Sequence, residues 1–407
     1  MLKEISLQNF KCFEKETLIP FSNFNLLTGI NGRGKSTSLQ ALLLMRQSIE
    51  HNRAIDRLIF NGSCVDLGNF NDVRNSNISQ RNAVEIKFCF DGVQLHYHLY
   101  ENEADEMSMQ IHKVIISEVS DDPRIYIETG LQAGEHVLQP HNNPLLWQDL
   151  IPRNIHTGTN SQSTSLTPLD NQINFARIHY VSADRIGPRD FYPKQSFADF
   201  PNVGRRGEYA PYLLYQMRDN RVHEDICHDK GATPTLLDQT QAWLSQIFDG
   251  ARISLIPTEA NLVLLTLRAD ELPTKGYKPA NVGFGYSYAL PIIVSGLIAR
   301  PGEMLIVENP EAHLHPFAQS QIIQFLTRLS GTGVQVFVET HSDHILNAVR
   351  LSVLDKFLTS QMTNVLFFAG HETPSVTQIP VGNDGSIENW PNDFFDQLDK
   401  DFSRLFG

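Results

Sequence analysis

The chain has few cysteines, no long apolar run and no surplus of basic charge, and each shortage removes a class of protein. Its four cysteines, Cys12, Cys64, Cys89 and Cys227, are scattered over 407 residues without paired spacing, so neither a disulfide framework nor a cysteine-based zinc site is expected. No apolar stretch reaches membrane-spanning length, and the opening "MLKEISLQNF" lacks the basic-then-apolar order of a signal peptide. A reduced, cytoplasmic protein with no membrane partner is the expectation. The formal net charge of −13 argues against a broad phosphate-binding surface. It leaves room for a local basic track through which nucleic acid can be bound, with Arg185, Arg189, Arg205 and Arg206 as its candidates; internal ion pairs or a subunit contact are the other use for them. There is no internal repeat and no sustained heptad array, which excludes long coiled-coil arms.

What the chain does have is "FNLLTGINGRGKSTSLQALLLMRQ", Phe24 to Gln47, which contains a full G-x-x-x-x-G-K-S pattern from Gly29 to Ser36. Glycines can take backbone angles that a β-carbon forbids, so successive N–H groups can turn inward around phosphate oxygens. Asn31, Gly32, Arg33, Gly34, Lys35, Ser36 and Thr37 form the candidate cradle. In it Lys35 is aimed at the β- and γ-phosphates and Ser36 is the expected Mg²⁺ ligand. The following helix adds its positive N-terminal end. The context fits on both sides. Phe24, Leu26 and Leu27 read as a buried strand, and Leu39, Leu42, Leu43 and Ile49 recur near helical spacing. The expected ligands are ATP and Mg²⁺.

Residues 1–30 read as two or three strands, and 84–116 alternate apolar and polar as an antiparallel hairpin series. Asn154 to Gln172 is polar and rich in Ser and Thr, a surface loop. "TLLDQTQAWLSQIF" is the clearest helix of the middle region and "RISLIPTEANLVLLTLR" another hairpin. The last third alternates strand and helix: "EMLIVEN", then "PFAQSQIIQFLTRL" with Phe317, Ile322, Phe325, Leu326 and Leu329 inward, then "VQVFVETHS" and "DHILNAVRLSVL". The strand Met304 to Val307 delivers Glu308, the acid a P-loop needs for its metal, and the next strand delivers His341, which can lie beside a γ-phosphate.

Together "GINGRGKST", "NVGFGYSYALPIIVSGL", "LIVENPEAHLHPFAQS" and "VFVETHSDHILN" resemble the stand-alone ABC-type ATPases of the RecF and OLD (overcoming lysogenization defect) superfamily. "YVSADRIGPRDFY", "VGRRGEYAPYLL" and "ENWPNDFFDQ" extend the likeness, in order, over nearly the whole chain. The group it resembles includes ATPase subunits of bacterial anti-phage systems, the Septu type with an HNH-nuclease partner among them. The resemblance implies an α/β ABC-type P-loop head over 1–363, made of a β-rich N-terminal lobe to about 175, a helical region at about 195–250 and a signature, acidic-strand and histidine-switch lobe at about 251–363, with a C-terminal extension over 364–407. It also implies a homodimer or higher oligomer with ATP sandwiched between subunits. In such a sandwich Gly283, Gly285 and Ser287 would be the signature donors, and His313 and His315 would lie in the loop that crosses the interface.

In such ATPases the residue after the metal-binding acid is a water-activating glutamate, and here it is Asn309. An amide orients water but takes no proton at neutral pH. Glu311, two residues on, either assists the water or caps the helix that begins near Pro316. Two expectations follow: an ATPase using Glu308 with Glu311 or His341, or a slowly hydrolysing nucleotide-gated switch acting through an effector in defence or in DNA repair and general regulation. Intrinsic nuclease activity is the third and weakest reading. Asp393, Asp396, Asp399 and Asp401 read more simply as a solvated helix face than as its metal site.

Overall fold

Strict alternation of apolar and polar residues yields strands with one wet face, and the first half of the chain obeys it. The computed structural model describes residues 1–118, 125–127, 147–152, 173, 175–197, 200–268, 277–281, 284–370 and 373–406. The polar loop expected at Asn154–Gln172 and the signature residue Gly283 lie outside the described residues. The chain divides into two compact units, the first made of Met1–Ser22, Ile30–Ile178 and Phe368–Thr377 and the second of Asn23–Gly29, His179–Phe367 and Gln378–Gly407.

The first unit carries a seven-stranded antiparallel sheet. Its order runs Thr17–Pro20, Leu2–Gln8, Val84–Phe90, Val93–Glu101, Ser108–Glu118 and Arg57–Ile59, with Ile125–Ile127 also paired to Ser108–Glu118. Val84, Ile86, Phe88 and Phe90 on one strand and Val93, Leu95, Tyr97 and Leu99 on the next are buried, while the residues between them are half-exposed. Phe175 closes this core edge-on against Phe88 at 4.8 Å, and the buried Tyr97 hydroxyl donates to Leu150 O at 3.2 Å. The helix Lys35–His51 belongs to this unit and is buried along most of its length.

A six-stranded sheet runs in the order Ile178–Val181, Met304–Glu308, Gln335–Glu339, Phe24–Gly29, Thr363–Ala369 and Ser375–Ile379, with Met304–Glu308, Gln335–Glu339 and Phe24–Gly29 wholly in the second unit. The middle strands are parallel, pairing Glu308 with Glu339 and Glu339 with Leu27. Parallel strands covered on both faces read as continuous apolar runs, as "MLIV" and "VFV" do. Asn25 interrupts its run fully buried: its Nδ2 donates to Val336 O at 3.2 Å, and Asn364 Nδ2 donates to Asn25 Oδ1 at 3.4 Å. At the outer strand, buried His179 and Glu303 meet at 3.0 Å (Nε2 to Oε2).

The expected helices form at Leu236–Ile247, Pro316–Gly331 and Asp343–Leu354, a further helix runs over Phe284–Ile298, and the expected hairpin forms at Arg252–Pro257 and Leu262–Arg268. Trp243 is buried among them, donating from Nε1 to Ile226 O at 2.9 Å and lying 5.0 Å from the Phe325 ring. One expected core residue is misplaced by the sequence reading. Ile322, Phe325, Leu326 and Leu329 point inward, but Phe317 is 58% exposed. It precedes Ile322 by five residues, about 140° round a 3.6-residue helix, and falls off the apolar stripe. No described helix is long and apolar enough to cross a membrane.

Close helix packing at Gly296 gives a stability test. A Cβ there would meet Phe325 Cζ at 2.6 Å, whereas one at Gly331 meets nothing within 4 Å. Gly296→Val is expected to cost about 1–3 kcal/mol by overpacking and to lower the thermal unfolding midpoint. Gly331→Ala should leave the midpoint unchanged or raise it. Equal losses at the two positions would contradict the close packing.

Candidate functional site

The phosphate-loop sequence turns out of the strand Phe24–Gly29 and enters the helix Lys35–His51 through Gly34 at φ 104. This glycine is required twice: its backbone is left-handed, and a Cβ would lie 2.3 Å from Phe13 Cζ. Within the first unit Lys35 is 4% exposed and folds its Nζ back to donate to Ile30 O at 3.0 Å. The Ile30 N–H donates to Phe368 O at 2.9 Å, and Cys12 Sγ reaches Thr37 Oγ1 at 3.9 Å. Burial raises the pKa of the Cys12 thiol.

The second unit gathers the acidic candidates where its parallel strands end. Glu308 closes its strand, and its Oε2 accepts the Ala183 N–H at 3.1 Å. Asn309 follows at φ 44, a left-handed conformation that asparagine tolerates better than most residues. Its N–H donates to Glu339 O at 2.8 Å and its carbonyl accepts from Arg185 Nη2. Glu311 does not cap the following helix. Its Oε1 accepts the His341 N–H at 3.0 Å, and the cap is His315, whose Nδ1 accepts the Phe317 N–H at 3.4 Å. Pro316 at the first helical position leaves that role to the residue just before it. His341 is exposed, on the turn between its strand and the helix Asp343–Leu354.

Sequence reasoning missed the residue at the centre of this arrangement. Arg185 was a candidate for a basic track, yet it is 2% exposed, and the track is not a surface feature at that position. Its guanidinium lies 5.0 Å over the Tyr288 ring, and Nε and Nη1 have no hydrogen-bond partner among the described residues. Burial brings its pKa down to about 10, while Tyr288, Glu311 and Glu308 pull it upward. Arg206 pairs with Asp184 at 3.1 Å in an exposed ion pair, not an internal one. The signal that was available is the motif "YVSADRIGPRDFY" itself, in which Ala183 and Arg185 both reach the acidic loop.

The signature segment joins the same cluster through aromatic rings. Phe284 stacks on His313 at 5.0 Å and 25°, and Tyr288 meets His313 edge-on at 4.5 Å. Gly285 sits against Phe248 and Leu314, and Ser287 is 5% exposed beside the Tyr192 hydroxyl. In this arrangement the Ser287 side chain faces the interior. At the C-terminus Lys400 Nζ bridges Asp393 and Asp396 at 2.8 and 2.9 Å, so these two carboxylates already hold a counter-ion.

Comparison with known proteins gives three family matches. A family described as AAA ATPase domain matches residues 1–181, one described as AAA domain, putative AbiEii toxin, Type IV TA system matches 163–347, and a protein of unknown function (DUF3696) matches 358–405. No curated protein matches. Among solved structures, the chain is similar to an SMC head bound to the C-winged helix domain of ScpA, at 13% identity and TM-score 0.44, covering 93% of this chain and 98% of that one. The SMC head domain from Thermotoga maritima aligns at 12% identity and TM-score 0.39, covering 93% and 99%. An Smc head with an extended coiled coil, bound to the C-terminal domain of ScpA derived from Pyrococcus furiosus, aligns at 14% identity and TM-score 0.43, covering 100% and 99%. The two AAA-domain matches overlap and together run along most of the chain, and the G-x-x-x-x-G-K-S loop joins a buried parallel strand to a helix in sequence: the chain has the α/β fold of a P-loop ATPase.

Proposed function

We propose that this chain is a slow, ATP-gated switch that assembles with copies of itself around the nucleotide and passes its state to a partner effector, a nuclease acting in anti-phage defence. The donor set suits the ligand: a loop whose Gly34 leaves no room for a Cβ, an adjacent Lys35, and the start of a long helix. Ser36 and Glu308 are the residues that would hold Mg²⁺, which when bound offsets phosphate charge. Gly283, Gly285 and His341 are proposed to reach the nucleotide in the assembled form. The nuclease partner and the defence role rest on the motif resemblance.

The observation that carries slow turnover is the loop after the acidic strand. Asn309 has no basic group to offer water, and its backbone is tied to Glu339 and Arg185. Glu311, two residues on, spends one oxygen on the His341 N–H, and its Oε2 is buried without a partner among the described residues. A carboxylate committed to backbone holds two strand ends together, and that tie restricts its use as a base toward water. General-base catalysis typically contributes about 10²–10⁴-fold, and this chain is expected to work without most of it.

Single-turnover measurement on the purified chain, following bound ATP and released phosphate, tests the proposal. Lys35→Ala should abolish ATP retention and ATP-dependent assembly, read by light scattering. Glu311→Gln should change the phosphate-release rate by no more than a few-fold. A loss on the order of 10²-fold or more would identify Glu311 as the working base and overturn the switch reading.

A further inference from the structure

The wet face of the antiparallel sheet carries a cluster that the nucleotide chemistry does not use. His96 and His98 are two apart on the strand Val93–Glu101, so both project from one face. Glu85 on the strand Val84–Phe90 pairs directly with His98 in the register, and Lys87 pairs with His96. One carboxylate thereby serves two imidazoles: Glu85 Oε2 is 2.8 Å from His96 Nε2, and Oε1 is 3.8 Å from His98 Nδ1. The rings lie 4.1 Å apart at 38°, and one ligand atom from each of the three residues falls within 4.8 Å of the other two.

We infer that Glu85, His96 and His98 form a binding site for a divalent transition metal ion of the zinc class. Two imidazoles and one carboxylate are a donor set that zinc takes with a fourth position open. Magnesium and calcium prefer all-oxygen shells, so the mixed nitrogen and oxygen set selects against them. Metal–ligand bonds of about 2.0–2.2 Å draw donors closer together than they lie here, and rotations of the histidine and glutamate side chains on a half-exposed face supply that movement. Binding exchanges the imidazole–carboxylate hydrogen bond for metal bonds, the His96 ring proton passing to Nδ1.

Two cations face the cluster from neighbouring strands. Lys87, the cation facing the cluster from the neighbouring strand position, is held by Glu16 at 2.6 Å. Lys113 stands opposite His98 on the third strand. All three proposed ligands are on the wet face, so replacing them leaves the apolar core untouched. The site stands independently of the ATP reading.

The test is a Co²⁺ titration of the full chain, without nucleotide and with Mg²⁺ in excess to fill oxygen-rich sites, followed by visible absorption and then by Zn²⁺ displacement. The expected result is one Co²⁺ per chain, displaced by Zn²⁺. Affinity should fall more than about 100-fold in His98→Gln and in Glu85→Gln, beyond the 10–100-fold that loss of an outer-shell partner costs, with circular dichroism unchanged. No saturable cobalt band in the native chain would overturn the inference. So would unaltered Co²⁺ affinity in both variants, which would place the ion on other histidines.

Discussion

A buried amide pair sets the frame on which the second unit depends. Asn25 and Asn364 face each other on adjacent strands inside the sheet, and Asn25 also reaches the backbone of the strand on its other side. Apolar residues alone would let these parallel strands slide at modest cost. A buried amide that slides loses its partner, and an unsatisfied buried polar group costs about 1–3 kcal/mol. The register so fixed brings Leu27, Glu308 and Glu339 level at one edge. That edge, the carboxyl end of parallel strands, is where open α/β sheets bind their ligands.

The acidic loop is held from several sides at that edge, and the holding explains its chemistry. Glu308 takes an N–H from Ala183, Asn309 takes a guanidinium N–H from Arg185, and Glu311 takes an N–H from His341. Buried cations persist where anions and acceptors surround them, and Arg185 has both Glu308 and Glu311 pulling its pKa up against burial. A loop built this way favours fixed geometry over proton exchange. The rings of Phe284, Tyr288 and His313 continue the contact into the first turns of the helix Phe284–Ile298.

Much of this was legible before any coordinates. The phosphate loop, the acidic strand and the alternating hairpins all have short-range signals, because glycine spacing and period-two burial are local properties. What escaped the reading is tertiary. Arg185 looks like a surface cation in sequence, and only the packing of the acidic loop against the segment after Val181 makes it an interior one. Phe317 is the exception: its place off the apolar stripe follows from the 3.6-residue period alone, a local signal. Glu311 was the candidate cap in the sequence; His315 takes that place, and Glu311 instead accepts the N–H that His341 presents from another strand end. Glu85 and His98 went unjoined in the sequence, although the two-residue Asp91–Gly92 turn sets the register that brings them opposite one another.

The Phe13 ring beneath Gly34 carries a consequence for how such a chain can be taken apart. Phe13 lies in a tight loop closed on itself by reciprocal hydrogen bonds with Phe10, and Phe10 bridges in turn to Arg74. The floor under the phosphate loop is therefore supplied by residues far outside the motif. The eight residues Gly29 to Ser36 are not a portable cassette: moved to another sheet they would keep their glycines and lose the surface that the last of these was shaped to fit. The N-terminal lobe is part of the mould in which the loop is cast.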